Sequence, residues 1–241
     1  IPVRRTFLAC HAVPEGNWTA TTWTRHVAEH LLPRVQKEKL ADYVDAFCEK
    51  GYFGLEEVST LLEAASKEGL AAKVHVNQFN AFGGVKLCTN LDALTVDHLE
   101  VLEPEDLEAL KSSSNTRTMA CALPGCSYFL GIPYTPVREL IKADVAVALA
   151  TDFNPGSAPS SNMERIVQLA ILKMKMLPLE AIAAATLNGA AAMEVSDQAG
   201  VIAPGRAANV LVTKPMEGLE GFGYDFGESS VEKVFIDGVE V

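Results

Sequence analysis

Nearly every short apolar run in the first 160 or so residues is followed at once by side chains able to carry chemistry. That recurrence constrains the fold more than any other feature of the sequence. His11 follows the run 5–9, Glu49 follows 43–47, His75 to Gln78 close the run 72–76, and His98 follows 93–97. Two further runs, 117–122 and 145–150, complete six expected strands, and the last leads into Asp152 to Ser157. Between the runs lie stretches expected to be helical: 21–38, 55–68, 83–87 and the residues just beyond it, 103–112, 136–142 and 161–175. Strands alternating with crossover helices imply an α/β fold with a parallel sheet. An open doubly wound sheet gathers its chemistry at one switch point, usually beside a Gly-rich turn, whereas a closed barrel brings the loops after all its strands to one face. Polar residues at many strand ends therefore favour the barrel.

Beyond the sixth strand, residues 177–193 are Ala-rich and expected to be helical. The tail then changes character: 200–202, 205–206, 209–213 and 234–236 are separated by Gly-rich turns, which implies a small β unit.

Composition excludes several classes. The 241 residues are 49% hydrophobic and 21% charged, as in a chain with a packed core. Twenty Lys and Arg against 31 Asp and Glu leave a net charge of −11, whose field repels nucleic acid. The longest apolar stretches, such as 145–150 and 181–185, fall far short of the roughly 20 residues that span a bilayer, so no membrane partner is expected. Five cysteines without a CxxC pair argue against a disulfide framework and a thiolate zinc site, and fit a reducing cytoplasm. No secretory signal precedes the first run, and a chain starting at Ile1 directly before a strand is expected to be a cut one.

His75 and Asp152 each end an apolar run, where a barrel strand would aim them into the mouth. Imidazole and carboxylate are suitable ligands for a divalent ion, which lowers the pKa of bound water to about 7 and makes hydrolysis practicable at neutral pH. The alternatives stay open for each residue. His75 can be a hydrogen-bonded core histidine, whereas a carboxylate after five apolar residues persists only if paired or metal-bound. His98 can be a proton shuttle or a partner of Asp97. His11 can donate to a substrate carbonyl. Asn154, Gly156 and Ser157 offer amide, hydroxyl and backbone donors just before a helix, suited to a carboxylate, or form a plain turn. His26 and His30 lie four apart without the glutamate of HExxH and are expected to be solvated surface residues.

The segments Thr6 to Pro14, 40–49, Lys73 to Gln78, Gly83-Gly84, Val96 to Glu100, 148–157 and Gly205 to Asn209 together resemble the imidazolonepropionase family of metal-dependent amidohydrolases, in register along nearly the whole chain. The resemblance implies hydrolysis of the ring amide of 4-imidazolone-5-propanoate to N-formimino-L-glutamate in histidine degradation. It implies one divalent ion, zinc or iron, with His75 and Asp152 as ligands. Catalysis would fall to His98 and Asp152, and substrate binding to His11, Gln78, Asn154, Gly156 and Ser157. The partner expected is the small-molecule substrate, with homodimerisation left open.

The resemblance also has departures. The family opens its barrel with a His-x-His pair that supplies two more ligands, and this sequence contains none. The expectation is thus an incomplete (β/α)8 TIM-like barrel over residues 1–195, with about six of eight strands, and a β-sandwich segment over 196–241, inactive at this length alone. Asn77 stands where many relatives carry Asp. Two rival readings are another amidohydrolase, such as an aminohydrolase acting on a cyclic nitrogen substrate, and a truncated non-catalytic fragment. Gln78 cannot carry a proton, which counts against deamination.

Overall fold

The computed structural model describes residues 3–112 and 118–241; Ile1, Pro2 and residues 113–117 lie outside it, among them Arg117, the expected start of the fifth strand. The chain forms two compact units, one reaching to Cys121 with Ala143–Val145 added, the other comprising Ala122–Lys142 and Ala146–Val241.

In the first unit β1 (Thr6–Cys10), β2 (Tyr43–Cys48), β3 (Ala71–Val76), β4 (Thr95–His98) and β5 (Met119–Ala122) pair in parallel, each with the next. The β2–β3 register is unbroken from Tyr43 opposite Ala71 to Cys48 opposite Val76, and His75 stands opposite Asp97 of β4. Phe47, His75 and Asp97 consequently lie side by side near the C-terminal ends of three neighbouring strands.

The crossover after β1 was expected to be one helix over 21–38. It is instead α1 (Ala20–His26), a π-helical turn (Val27–Leu31) and α2 (Leu32–Lys37). Pro33 cannot donate into the ladder, and the backbone accommodates it with a wider turn in which Leu32 N–H reaches back to Val27 O. The next crossover, α3 (Leu55–Lys67), follows the sequence pattern. It buries Val58, Leu61, Leu62 and Ala65, one helical stripe, and Glu57 caps its start by accepting the Gly54 N–H at 3.1 Å. Helices α4 (Gly84–Asn90) and α5 (Pro104–Ser112) complete the unit. A Cβ on Gly84 would stand 2.5 Å from Val76 Cγ2 and 3.0 Å from Cys48 Sγ. Only glycine lets α4 begin so close to β2 and β3.

The second unit opens with Ala122, the last residue of β5, whose carbonyl accepts the Ala150 N–H at 3.3 Å beyond β6 (Val147–Leu149). β6 therefore follows β5, and the strand order is β1-β2-β3-β4-β5-β6. A strictly sequential parallel order has no reversal, which excludes the doubly wound alternative and matches a run of (β/α)8-barrel units.

Helix α6 (Pro124–Leu130) was not expected, because it shows three consecutive exposed apolar residues, Tyr128, Phe129 and Leu130, rather than a buried stripe. Helices α7 (Val137–Lys142), α8 (Met163–Leu172), α9 (Pro178–Ala185) and α10 (Leu187–Ala192) come next. The expected helix over 177–193 is thus divided at Thr186.

The tail holds β7 (Val210–Thr213), a short helix α11 (Gly221–Tyr224), β8 (Val231–Ile236) and β9 (Val239–Glu240), the three strands forming an antiparallel sheet. Residues 200–202, expected to contribute to the β unit, lie outside any strand. Buried Gln168 of α8 donates to the carbonyls of Asp225 and Glu228 and accepts the Gly227 N–H, tying the tail to that helix.

Candidate metal and proton-transfer site

The non-glycine residues with positive φ form two main groups. Lys39, Asp92, Asp144 and Glu194 each sit two residues beyond a helix end, where a left-handed residue commonly stops the ladder. Asn77 (57°), His98 (84°), Leu99 (63°) and Asp152 (51°) instead close β3, β4 and β6, where chemistry was expected. Such conformations cost about 1–3 kcal/mol each and persist only where the surroundings enforce them.

At the end of β3, the Nδ1 of His75 lies 2.9 Å from Oδ2 and 3.1 Å from Oδ1 of Asp45, and the His75 backbone N–H donates to Oδ1 at 3.3 Å. His11, one residue beyond β1, brings its Nε2 to 3.4 Å from the same Oδ1. That nitrogen is buried and has no hydrogen-bond partner among the described residues. The two imidazoles meet edge to face, 4.5 Å between centroids, and Phe47 stacks on His11 at 6.0 Å. Burial pushes the Asp45 carboxyl up, but His75 and His11 beside it more than offset this and hold it at about 2. One ligand atom from each of His11, Asp45 and His75 lies within 4.8 Å of the other two, so the group is close enough to hold a divalent ion, and with Asp45 on the Nδ1 of His75 the Nε2 of that ring is equally left to bind one.

The His98 ring is 5.2 Å from that of His75 and almost fully buried. Its Nδ1 lies 3.3 Å from Oε1 of Glu100, whose side chain is wholly buried. Asp97, the partner in one of the two readings open for His98, is adjacent on the strand and faces the opposite way, and the turn after β4 carries Glu100 to the ring instead. Asp97 is left with a buried Oδ1 that has no hydrogen-bond partner among the described residues, and burial raises its pKa.

The loop after β3 holds buried Gln78. It is fixed from both sides. Glu49, buried at the end of β2, accepts the N–H groups of Phe79 (2.9 Å) and Asn80 (3.4 Å) through one oxygen and that of Lys50 (3.1 Å) through the other. Fully buried Asn77 donates to Asp106 Oδ2 at 2.7 Å.

Asp152, Asn154, Gly156 and Ser157 belong to the second unit. Asn154 Oδ1 accepts the N–H groups of Gly156 (2.9 Å) and Ser157 (2.8 Å), and its amide donates to the Asp152 carbonyl at 2.7 Å. The backbone donors expected to cradle a carboxylate are thus already satisfied by a side-chain oxygen. His26 is only partly the solvated residue expected: it packs on Trp18 and Trp23 at 5.0 and 5.6 Å, while His30 is exposed.

Asp45 and Glu100 were not singled out from sequence. Asp45 carried a readable signal, since a carboxylate inside the apolar run Tyr43–Cys48 must be paired, just as for Asp152.

Sequential parallel strands with histidines and carboxylates at their C-terminal ends, and a His–Asp–His donor group among them, define a chain of the (β/α)-barrel class with a candidate metal site. Residues 24–241 match the model of the Amidohydrolase family, and the chain belongs to that family. It is 51% identical over 239 residues to a protein of Christiangramia forsetii and 50% identical to one of Flavobacterium johnsoniae, both named imidazolonepropionase. Each match covers 99% of this chain and 57% of the relative, so the chain spans somewhat over half the length of these proteins. Among solved structures it is similar to an adenosine deaminase from Xanthomonas campestris with bound zinc (TM-score 0.74, 17% identity, 97% of this chain and 59% of that one). A 5-methylcytosine deaminase from Klebsiella pneumoniae gives a TM-score of 0.75 at 18% identity, covering 98% of this chain and 62% of that one. At such identities these two likenesses speak for the fold alone. Among the described residues, no helix is long and apolar enough to cross a membrane.

Proposed function

We propose that this chain carries much of the active site of a cytoplasmic enzyme that hydrolyses the ring amide of 4-imidazolone-5-propanoate to N-formimino-L-glutamate in histidine degradation. The observation that carries the reading is the pair of neighbouring imidazoles, His75 and His98, each with its Nδ1 against a buried carboxylate. The 51% identity to a named imidazolonepropionase selects the substrate.

In this reading His75 and Asp152 would hold one zinc or iron ion, and the nearness of His75 to Asp45 and His11 supports its part. The ion would supply an activated water and polarise the amide carbonyl. His98 accepts a proton from the attacking water and returns it to the ring nitrogen as the C–N bond breaks, so the carbonyl carbon ends as a carboxylate. His11 and Gln78 contact the imidazolone ring, with Phe47 stacked behind His11. The substrate's propanoate takes the place of Asn154 Oδ1 on the N–H groups of Gly156 and Ser157, an exchange of one oxygen acceptor for another. The barrel part extends to residue 195, and 196–241 form a β-sandwich segment. Incubating the complete gene product with imidazolone propanoate and zinc or iron tests the assignment: loss of the ring chromophore with formation of formiminoglutamate is expected, and an intact ring with either metal refutes it.

A further inference from the structure

Residues two apart do not ordinarily share a close contact. On a helix they point to different faces, and along a strand they stand nearly 7 Å apart. His98 and Glu100 break this rule, with Nδ1 and Oε1 3.3 Å apart. The cause lies in the backbone between them. His98 has φ 84° and Leu99 φ 63°, both positive and neither glycine, so the chain doubles back immediately after β4. The turn is held by the end of β3 and by its own burial. Leu99 N–H donates to Val76 O at 3.2 Å, the Leu99 side chain is fully buried, and Val101 N–H donates to Asn77 O at 2.9 Å. Two strained residues in succession bring a wholly buried carboxylate against the ring of an almost fully buried histidine.

We propose that Glu100 is a positioning residue for His98: its carboxylate accepts a hydrogen bond from Nδ1–H and fixes the imidazole in the tautomer that leaves Nε2 as the proton acceptor. This rests on the reading of His98 as the proton carrier and adds the residue that makes it competent. A neutral imidazole carries one N–H, and the partner of one nitrogen decides which. An ionised carboxylate only accepts hydrogen bonds, so the nitrogen beside it must donate. The bond also stabilises the imidazolium formed when Nε2 takes a proton, and the turn prevents the ring from swinging away. An amide at position 100 would offer its NH2 to Nδ1 and admit the opposite tautomer, in which Nε2 is blocked by its own proton. Wrong-tautomer variants of carboxylate–histidine pairs keep their geometry and lose rate.

The experiment uses the complete gene product with 15N-labelled histidine, and the His98 signals are assigned from their loss in His98→Gln. Above the titration range of the ring, unsubstituted protein is expected to show a protonated Nδ1 and a bare Nε2 for His98. Glu100→Gln is expected to shift the population toward a protonated Nε2 and to lower kcat by about 10–100-fold with KM within about threefold. Glu100→Asp, which keeps the charge, is expected to restore the Nδ1–H form and part of the rate. A protonated Nε2 in the unsubstituted protein overturns the proposal, as does an unchanged tautomer in a folded Glu100→Gln. The tautomer is read without substrate, so absence of imidazolone hydrolysis would refute the functional reading while leaving this one to stand or fall on the spectrum.

Discussion

Asp45 grips His75 twice, through the ring Nδ1 at 2.9 Å and through the backbone N–H at 3.3 Å, from the strand alongside. A carboxylate on Nδ1 directs the lone pair of Nε2 outward and raises its basicity, as the outer partners of metal-bound histidines do. Asp45→Ala in the complete gene product should therefore weaken divalent-metal binding by about 10–100-fold. Asp45→Asn should lose less, because an amide oxygen still accepts from Nδ1–H. Competition against a chelator of known affinity measures both, and an Ala variant that binds as tightly as the parent contradicts the role.

Cys48 reports the burial of the same region. Burial, with the nearby Glu49 charge, pushes its thiol up from 9.0 to about 12. A group raised on folding contributes stability that is complete below its unfolded value and is lost as pH rises through the folded one. The loss attributable to Cys48 should fall between pH 9 and about 12, at roughly 1.4 kcal/mol per unit. Urea midpoints of the parent should descend more steeply over that window than those of Cys48→Ala. Parallel slopes would show that the thiol is not insulated from solvent.

Much of the fold is legible because strands and crossover helices write different periods into the sequence. Each of the six expected strands meets an observed one, shifted among the described residues by no more than a couple of positions at its ends, as in 72–76 against Ala71–Val76. What failed had local causes. Pro33 hides a π-helical turn inside an otherwise helical pattern, and α6 exposes the residues that would have marked its buried face. The site was half legible. His11, His75 and His98 announce themselves by type and position. Their carboxylate partners come from neighbouring strands or strained turns, which no linear spacing encodes: Asp45 reaches His75 through parallel pairing across 30 residues, and Glu100 reaches His98 only through two left-handed residues.

The closeness of α4 to the end of β3 gives a steric prediction. A methyl group on Gly84 would overlap Val76 Cγ2 at 2.5 Å, and valine cannot turn away without disturbing a fully buried site. Gly84→Ala should cost about 2–3 kcal/mol by overpacking, although alanine is the better helix former. Gly131, by contrast, meets nothing within 4 Å and has φ 68°, so Gly131→Ala should cost only about 1 kcal/mol of backbone strain. Equal urea midpoints for the two variants would refute the packing account.

Asn77 is chosen for its donor. It is fully buried with φ 57°, and its amide gives a 2.7 Å hydrogen bond to Asp106, which also accepts the Glu103 N–H at 3.1 Å. Burial already raises the Asp106 carboxyl. Asn77→Asp replaces the donor with a second acceptor, and two carboxylates so close cannot both ionise. One must hold a proton in the folded state that it would release in the unfolded chain. A raised carboxyl favours folding at low pH and loses that contribution as pH climbs, so the penalty should be small near pH 4 and reach about 2–3 kcal/mol by pH 8. Adding Asp106→Asn restores a donor opposite the new carboxylate and should recover most of the loss at pH 8. Urea unfolding of both variants at the two pH values separates this from a simple packing defect, which would cost the same at either and would not be rescued by exchanging the partners.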